Sequence, residues 1–511
     1  MKRIYLFSIV SMLTLCTWAQ DELMTKEKYQ FAEETQLWRL TQNAAGLSLD
    51  SSMNRGITQF DASHREGDYS LVQDGDMNNQ LKFIAERYQK VGKYLYGYGS
   101  FNFDMGRTKN RAWSDVIRSH NSNPFISGSS VPGKYDHQFI NLEAALATVP
   151  LGAFTYGMGI NYQVGDLSRL RDPRSRINLA DYRITPALTY SIGNSSIGLA
   201  LHYDRHKEKL PNLTTVQTDP SLKYYTMTGM ESASGIIGGY NGYEREYVNH
   251  ELGGELSLAV KGETFHSLNS ISFDKGTEYM YGDTKYEPGR YFTYHYKAAS
   301  RNRFNVGNTL MRADIAASYE QGYADEYRQE LTRTKDPQTG IESKAWNTTM
   351  TYKKRFQLKI FDLDFHYRAS FTENNEVNAY VGMLYNMNHV RNKRILNTST
   401  LKYIDNKFAL EGGFRIGRSL WVEAQADYKI SSEAELNLHD NSTEYAQAVL
   451  IPDMEYYGAN YWRTHLQVEY QIPVSIKGYK GNWFARVYGD YLKTNKHTDA
   501  SVVGCSVGIY Y

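Results

Sequence analysis

The sequence predicts an all-β fold, a transmembrane antiparallel β-barrel of about 18 strands (about 14 to 20 as the range), with short periplasmic turns and long extracellular loops. Three observations carry this. Segments of ten to fifteen residues alternate apolar and polar positions, and at that length they match the roughly 9–11 residues that cross a bilayer at a tilt better than the roughly 5–6 of a soluble strand. The joints between segments are alternately tight and long. The last segment alternates up to an aromatic residue, with Val503, Cys505, Val507, Ile509 and Tyr511 on one face.

The chain begins with Lys2 and Arg3 ahead of the apolar run Ile4–Leu15 and Thr17-Trp18-Ala19, which reads as a secretory signal over 1–19. Cys16 follows Leu15, where a lipoprotein signal needs a small residue. A short N-terminal periplasmic segment, 20–54, should follow, and the barrel should occupy 55–511. Cleavage would leave Cys505 as the single cysteine, so closed hydrogen bonding rather than a disulfide must hold an exported chain together. The charge balance, 57 Lys+Arg against 56 Asp+Glu in 511 residues, gives no long-range attraction for nucleic acid. The 43 tyrosines exclude a disordered chain, and after residue 20 no apolar run approaches a membrane helix.

In chain order, strands are expected near 55–64, 79–90, 92–105, 135–149, 152–165, 181–192, 195–208, 247–261, 264–279, 289–300, 303–321, 344–372, 376–388, 405–416, 419–431, 458–472, 482–494 and 501–511. Phe154-Tyr156-Met158-Ile160-Tyr162-Val164 shows the pattern, opposite Thr155, Gly157, Gly159, Asn161 and Gln163. Tight joints fall at Val149–Gly152, Gly193–Ser195, Lys261–Thr264, Thr372–Glu376 and Gly417–Ser419. Within 344–372 the apolar positions are even through Ile360 and odd from Phe361, which calls for a bulge in one long strand. The last strand must pair with the first, because an open edge in lipid leaves backbone groups unsatisfied.

The alternation assigns Glu411, Arg415, Glu423, Asp427, Arg463, His465, Glu469, Arg486 and Asp490 to the lumen, both signs in comparable number. Interleaved signs suggest internal ion pairs that narrow the path; a solvated, unselective wall is the plain alternative. His202, Asp204 and His206 share one face, and adjacent members could clasp a transition metal with help from another strand, or simply line the rim. Gly504-Cys505-Ser506-Val507-Gly508 matches a hydrolase elbow in letters, yet it sits in a strand that no helix can follow. Asp74-Gly75-Asp76-Met77-Asn78 opens like a calcium loop but continues with Asn79 and Ala85 where Gly and Glu are needed, so it reads as a polar turn. Loops 106–134, 209–246 and 432–457 carry Tyr224, Tyr225, Tyr240, Tyr243, Tyr247, Tyr445, Tyr456 and Tyr457, suited either to partner contact or to folding inward.

The signal ending in Ala19-Gln20, the tyrosine-rich strands and Trp38–Leu47, with Asn43-Ala44-Ala45-Gly46-Leu47, resemble the exported barrels of Bacteroidota. A related motif precedes fatty-acid-transporter-like barrels, which carry Pro where this chain has Ala44 or Ala45. The chain is most similar to an uncharacterised Bacteroidota outer-membrane barrel family, porin-like in architecture, whose members are often encoded near TonB-dependent transporters. The resemblance implies the outer membrane, contact with its lipid and lipopolysaccharide, and insertion by the barrel-assembly machinery.

No catalytic constellation assembles, so the expectation is a barrel without enzymatic activity or cofactor that takes up or passes a small nutrient, alone or as an accessory to a TonB-dependent transporter. Residues 20–54 are too few to plug a porin-wide barrel. The rival reading is a scaffold whose loops dock a surface lipoprotein or secretion machinery, with an outer-membrane hydrolase in reserve.

Overall fold

The computed structural model describes residues 23–50, 54–216, 222–476 and 479–511; the expected signal, 1–19, lies outside them. The described strands are β1 Arg55–Glu66, β2 Met77–Val91, β3 Leu95–Arg111, β4 Ser127–Ser129, β5 Gly133–Thr148, β6 Phe154–Arg169, β7 Arg176–Ile192, β8 Ser195–Leu210, β9 Lys223–Met227, β10 Ala233–Ile237, β11 Arg245–Lys261, β12 Phe265–Tyr281, β13 Gly289–Val306, β14 Thr309–Lys335, β15 Glu342–Glu373, β16 Glu376–Arg394, β17 Ser399–Ile416, β18 Leu420–Asn437, β19 Tyr461–Ile476, β20 Tyr479–Thr494 and β21 Asp499–Tyr510. Eighteen of these pair antiparallel with their neighbours in chain order, and β1 pairs with β21, with Phe60 opposite Val507, so the sheet is a closed barrel. The remaining three, β4, β9 and β10, form a small sheet of their own.

Period-two alternation sets the two faces. Leu146, Tyr156, Leu199, Leu256, Leu466 and Val503 point outward and are exposed, as a bilayer-facing wall requires. Outward aromatics meet across strands, as in Phe60 and Phe83 with ring centres 4.7 Å apart. No helix among the described residues is long and apolar enough to cross a membrane. The β16 hairpin turn is made by Asn374 and Asn375, both at positive φ (52° and 60°), the backbone that a two-residue turn needs and that asparagine tolerates.

Two expectations are corrected in detail. The turn expected between 300 and 303 lies at Gly307 and Asn308, because the polar run Ser300–Arg303 continues β13 inward instead of leaving the wall. The bulge in the longest strand is not at Ile360–Phe361. Ala324 pairs with Phe356 and Glu326 with Tyr352, so 353–355 face Asp325 alone, and Lys354, at φ 54°, donates its backbone N–H to Asp325 at 2.8 Å. Phe356, Leu358 and Ile360 face the lumen, where apolar loops cover them, and this mimics a parity switch.

Candidate functional site

Residues 23–50, within the expected N-terminal segment, lie inside the short-turn end of the barrel, in contact with its inner wall. The segment opens with a helix, Lys26–Thr35, capped by the Thr25 side chain on the Lys28 N–H. Lys26 Nζ enters the wall between Glu423 (3.0 Å) and Glu469 (3.7 Å), and Tyr29 donates to Glu86 at 3.0 Å. Glu34 meets Arg368 at 3.3 Å, and Phe31 packs on Val377, Tyr380 and Trp421. Asp50 then accepts the backbone N–H groups of Leu37, Trp38 and Arg39 at 3.0–3.1 Å, fixing a one-turn helix that drives Trp38 against Leu268.

The Asn43–Leu47 motif caps and forms the next turn. Asn43 accepts the Ala45 N–H at 3.0 Å while its amide donates to Leu188 O at 3.1 Å on β7. Ala45 is fully buried over Gly157, where a Cβ would lie 2.2 Å from the Ala45 nitrogen; glycine is what lets this backbone reach the wall. Tyr88 closes the circuit by donating to Leu47 O at 2.7 Å, and Arg39 stacks on Tyr98 and pairs with Glu143 at 3.3 Å. These partners stand on strands all around the barrel, so a 28-residue segment, 23–50, bridges the lumen by side-chain reach rather than by bulk. Its partners lie roughly 50 to 450 positions away in the chain, which is why the sequence did not disclose them.

The predicted lumen charges divide between wall pairs and this segment. Arg463 Nε donates to Asp490 at 2.9 Å with His465 at 3.2 Å from the same oxygen, and Arg486 pairs with Glu469 at 2.7 Å. Glu411 takes Arg368 (2.7 Å) and His366 (2.9 Å), and Asp427 accepts from Gln425 at 2.7 Å. Arg415 stands opposite Trp421 as expected, but its partners are Glu376 at 3.2 Å and Glu27 at 3.9 Å rather than Glu423, which the inserted helix occupies.

At the other end the three long loops fold inward. Strand β4 from the first pairs with β9 from the second. Trp113, Phe125, Tyr225, Met227, Tyr445, Val449, Leu450 and Tyr457 join wall residues Tyr247, Met280, Phe356 and Tyr403 in the largest buried cluster. Tyr403 and Tyr457 stack at 4.1 Å and Tyr69 and Tyr456 at 4.2 Å. Of the tyrosines assigned to loops from the sequence, Tyr224, Tyr225, Tyr240, Tyr445 and Tyr457 are buried, and Tyr247, also buried, belongs not to a loop but to wall strand β11. Asp453, in the helix Ile451–Tyr457, accepts the Val72 N–H at 3.0 Å, and burial pushes its carboxyl up to about 6.

His202, Asp204 and His206 do not converge on one point. Partners on adjacent strands are nearer than same-face neighbours along one strand, about 5 Å against about 7 Å, and most of the contacts these side chains make are across strands. Asp204 pairs with Arg183 at 3.0 Å, and His206 with Asp181 at 3.0 Å and Glu208 at 3.6 Å. His202 meets Asp274 at 2.9 Å, beside Glu251. Between loop residues Val116–Asn123 and the wall lies a cavity of about 420 Å³, whose lining holds the carboxylates Asp74, Glu208, Glu251, Glu278 and Glu320 against one guanidinium, Arg118.

Other motifs are occupied by structure. Asp76 accepts from Asn110 at 2.8 Å and Asp74 meets His120 at 3.0 Å. Ser506, inside β21, donates to Asp61 at 2.8 Å. In the closing strand Val503 and Val507 face outward, Cys505 is an exposed free thiol, and Ile509 pairs with Thr58.

Solved structures similar to this chain include the copper transporter OprC (9% identity, TM-score 0.39, 89% of this chain and 81% of that one). They also include the ferric yersiniabactin uptake receptor FyuA from Yersinia pestis (9%, 0.38, 90% and 80%) and the FrpB iron transporter from Neisseria meningitidis (8%, 0.40, 92% and 84%). No curated protein matches the chain. Residues 44–511 match the family described as "Family of unknown function (DUF6850)", and the chain belongs to it.

Proposed function

We propose that this barrel resides in the outer membrane and takes up a small nutrient by a gated path, the segment 23–50 serving as the gate. The observation that carries the reading is Lys26 seated between Glu423 and Glu469: the gate is held by a few ion pairs and short turns, not by a packed domain. An open porin has no use for such an insert. The inward loops form the second barrier, to be moved by solute or by a partner such as a TonB-dependent transporter.

Planar-bilayer recording tests this. The full chain is expected to be closed or to open rarely, and deletion of 23–50 to make openings clearly more frequent, the loops alone then closing the path, in a barrel that still migrates faster unboiled than boiled. A deletion protein that inserts but stays silent sinks the reading. A second reading, docking of a surface lipoprotein, is favoured by the β14–β15 hairpin, whose residues 333–345 are exposed beyond the wall; co-purification with and without that hairpin separates the two.

A further inference from the structure

Gly253, on β11, stands between two side chains that close over it. Its direct neighbours are His202 on β8 and Asp274 on β12. A Cβ at residue 253 would lie 2.0 Å from Asp274 Oδ1 and 2.6 Å from His202 Nε2, so glycine leaves the only room in which imidazole and carboxylate can meet across the intervening strand. They meet at 2.9 Å, both almost wholly buried, with His202 3% exposed and Asp274 2%. The approach lacks hydrogen-bond geometry. Among the described residues neither ring nitrogen of His202, nor Asp274 Oδ1, has a hydrogen-bond partner.

Nε2 and Asp274 Oδ1 meet only each other, as an ion pair, and Nδ1 meets no polar atom among the described residues; polar atoms so poorly satisfied are costly when buried, and in a cradle shaped by a glycine they mark a place that a cation fits. The third group is Glu251, two residues before Gly253 on the same lumen face. One ligand atom each from His202, Glu251 and Asp274 lies within 4.8 Å of the others. On one tetrahedral ion the ligand atoms would stand about 3.3–3.6 Å apart, so the His202–Asp274 contact opens by a few tenths of an ångström and Glu251 swings inward. Glu251 also borders the 420 Å³ cavity, whose excess of carboxylates draws cations and supplies the entry path. His295 lies 3.8 Å from Glu251 and lines the same cavity. Arg183, 3.5 Å from Glu251 Oε1, and Lys297, whose charge acts on Asp274, are the cations beside the site.

We propose that His202, Glu251 and Asp274 form a site for one divalent transition-metal ion. The donor set names the class. A neutral imidazole with two carboxylates suits Zn(II) and its neighbours, whereas Ca(II) and Mg(II) take oxygen ligands and gain nothing from a buried imidazole. Two carboxylates also neutralise a divalent ion, which a low-dielectric wall demands. The site does not rest on the gating reading: an ion bound here stays bound whether or not the barrel conducts.

The test uses the full chain, tag-free, in detergent, stripped with chelator and titrated with Zn(II) by calorimetry and with Co(II) by visible absorption. The expected result is one ion per chain, with ligand-field bands of low-coordinate Co(II) that Zn(II) displaces. His202→Gln and Asp274→Asn are expected to weaken binding by on the order of a hundredfold, and Glu251→Gln by at least about tenfold. His206→Gln, whose ion-pair partners among the described residues are Asp181 and Glu208, is expected to leave it unchanged. Faster migration of unboiled protein reports folding of each variant; should the buried substitutions fail to fold, Glu251→Gln at the cavity edge carries the test. No saturable binding by the folded parent chain overturns the proposal. So does binding indifferent to all the foldable site variants, or binding lost in His206→Gln alone.

Discussion

Lys26 shows how a single side chain sets the state of the lumen. It is 4% exposed, its ammonium lies between two carboxylates and 5.2 Å from the Trp421 ring, and it sits at the first position of the inserted helix. Apolar contacts hold the segment as well, with Met24, Leu37, Trp38, Ala45 and Leu47 all buried, but Lys26 carries the charge that matches two wall carboxylates. Lys26→Met keeps the length and removes the charge, leaving Glu423 with only neutral donors; breaking a buried pair in this way costs on the order of 3 kcal/mol. The expected outcome is a barrel of unchanged heat-modified migration whose residues 26–48 exchange amide hydrogens faster and are cleaved by added protease. A second substitution, Glu423→Gln, is expected to return part of the protection, because the uncompensated charge rather than the lost contact is the larger harm. Protection equal to that of the parent chain in Lys26→Met would show that Trp38, Ala45 and Leu47 hold the segment unaided.

At the scale of elements, the wall was legible in the sequence because a strand in lipid must alternate. Every barrel strand overlaps an expected one, and the errors fall where the lumen is not watery. The Ser300–Arg303 run looked like a turn because its partners were invisible: Arg303 faces Asp314 across the β13–β14 hairpin and donates to Glu34 O on the inserted helix. Phe356, Leu358 and Ile360 looked lipid-facing because nothing local announces that Trp113 and Tyr225 will fold over them. His202, Asp204 and His206 were read along one strand, while chemistry in a sheet is decided across strands. The loop cap itself yields a pH prediction. Asp453 titrates near 6 in the fold against roughly 3.9 in an unfolded chain. A raised carboxyl stabilises through its protonated form, so the contribution is full below about pH 4 and is lost as pH rises through about 6, up to about 3 kcal/mol in all. A cysteine placed at Val449 is therefore expected to react with maleimide relatively faster at pH 7.5 than at pH 5.5, after correction for thiol ionisation. In the Asp453→Asn background that difference is expected to vanish; its persistence would assign the pH response to another group.

For the molecule as a whole, stability rests on a seam. β1 and β21 pair over Ile57–Glu66 and Ser501–Tyr510, and Tyr511 extends the seam by one residue. Its N–H donates to Gly56 O at 3.0 Å, and its ring fills the space over Gly56, where a Cβ would lie 2.5 Å away. The hydroxyl is 3.2 Å from Thr58 and the Arg87 guanidinium 5.2 Å from the ring. Tyr510 turns the other way, reaching Glu469 at 3.3 Å and packing on Phe484 with Met24 and Tyr29 of the inserted segment. One face of this terminus therefore shuts the wall and the other shuts the lumen. Removing Ile509, Tyr510 and Tyr511 strips both functions, and unpaired backbone groups facing lipid cost several kcal/mol each. The expected outcome is loss of the fast-migrating folded form with export across the inner membrane intact, so that the protein accumulates unassembled. Tyr511→Phe, which keeps the ring over Gly56 and loses only the Thr58 contact, is expected to assemble at nearly parental levels, while Tyr510→Ala should assemble but release the inserted segment to protease. Normal surface exposure after the three-residue truncation would show that pairing upstream, from Phe60 and Val507 onward, closes the barrel by itself.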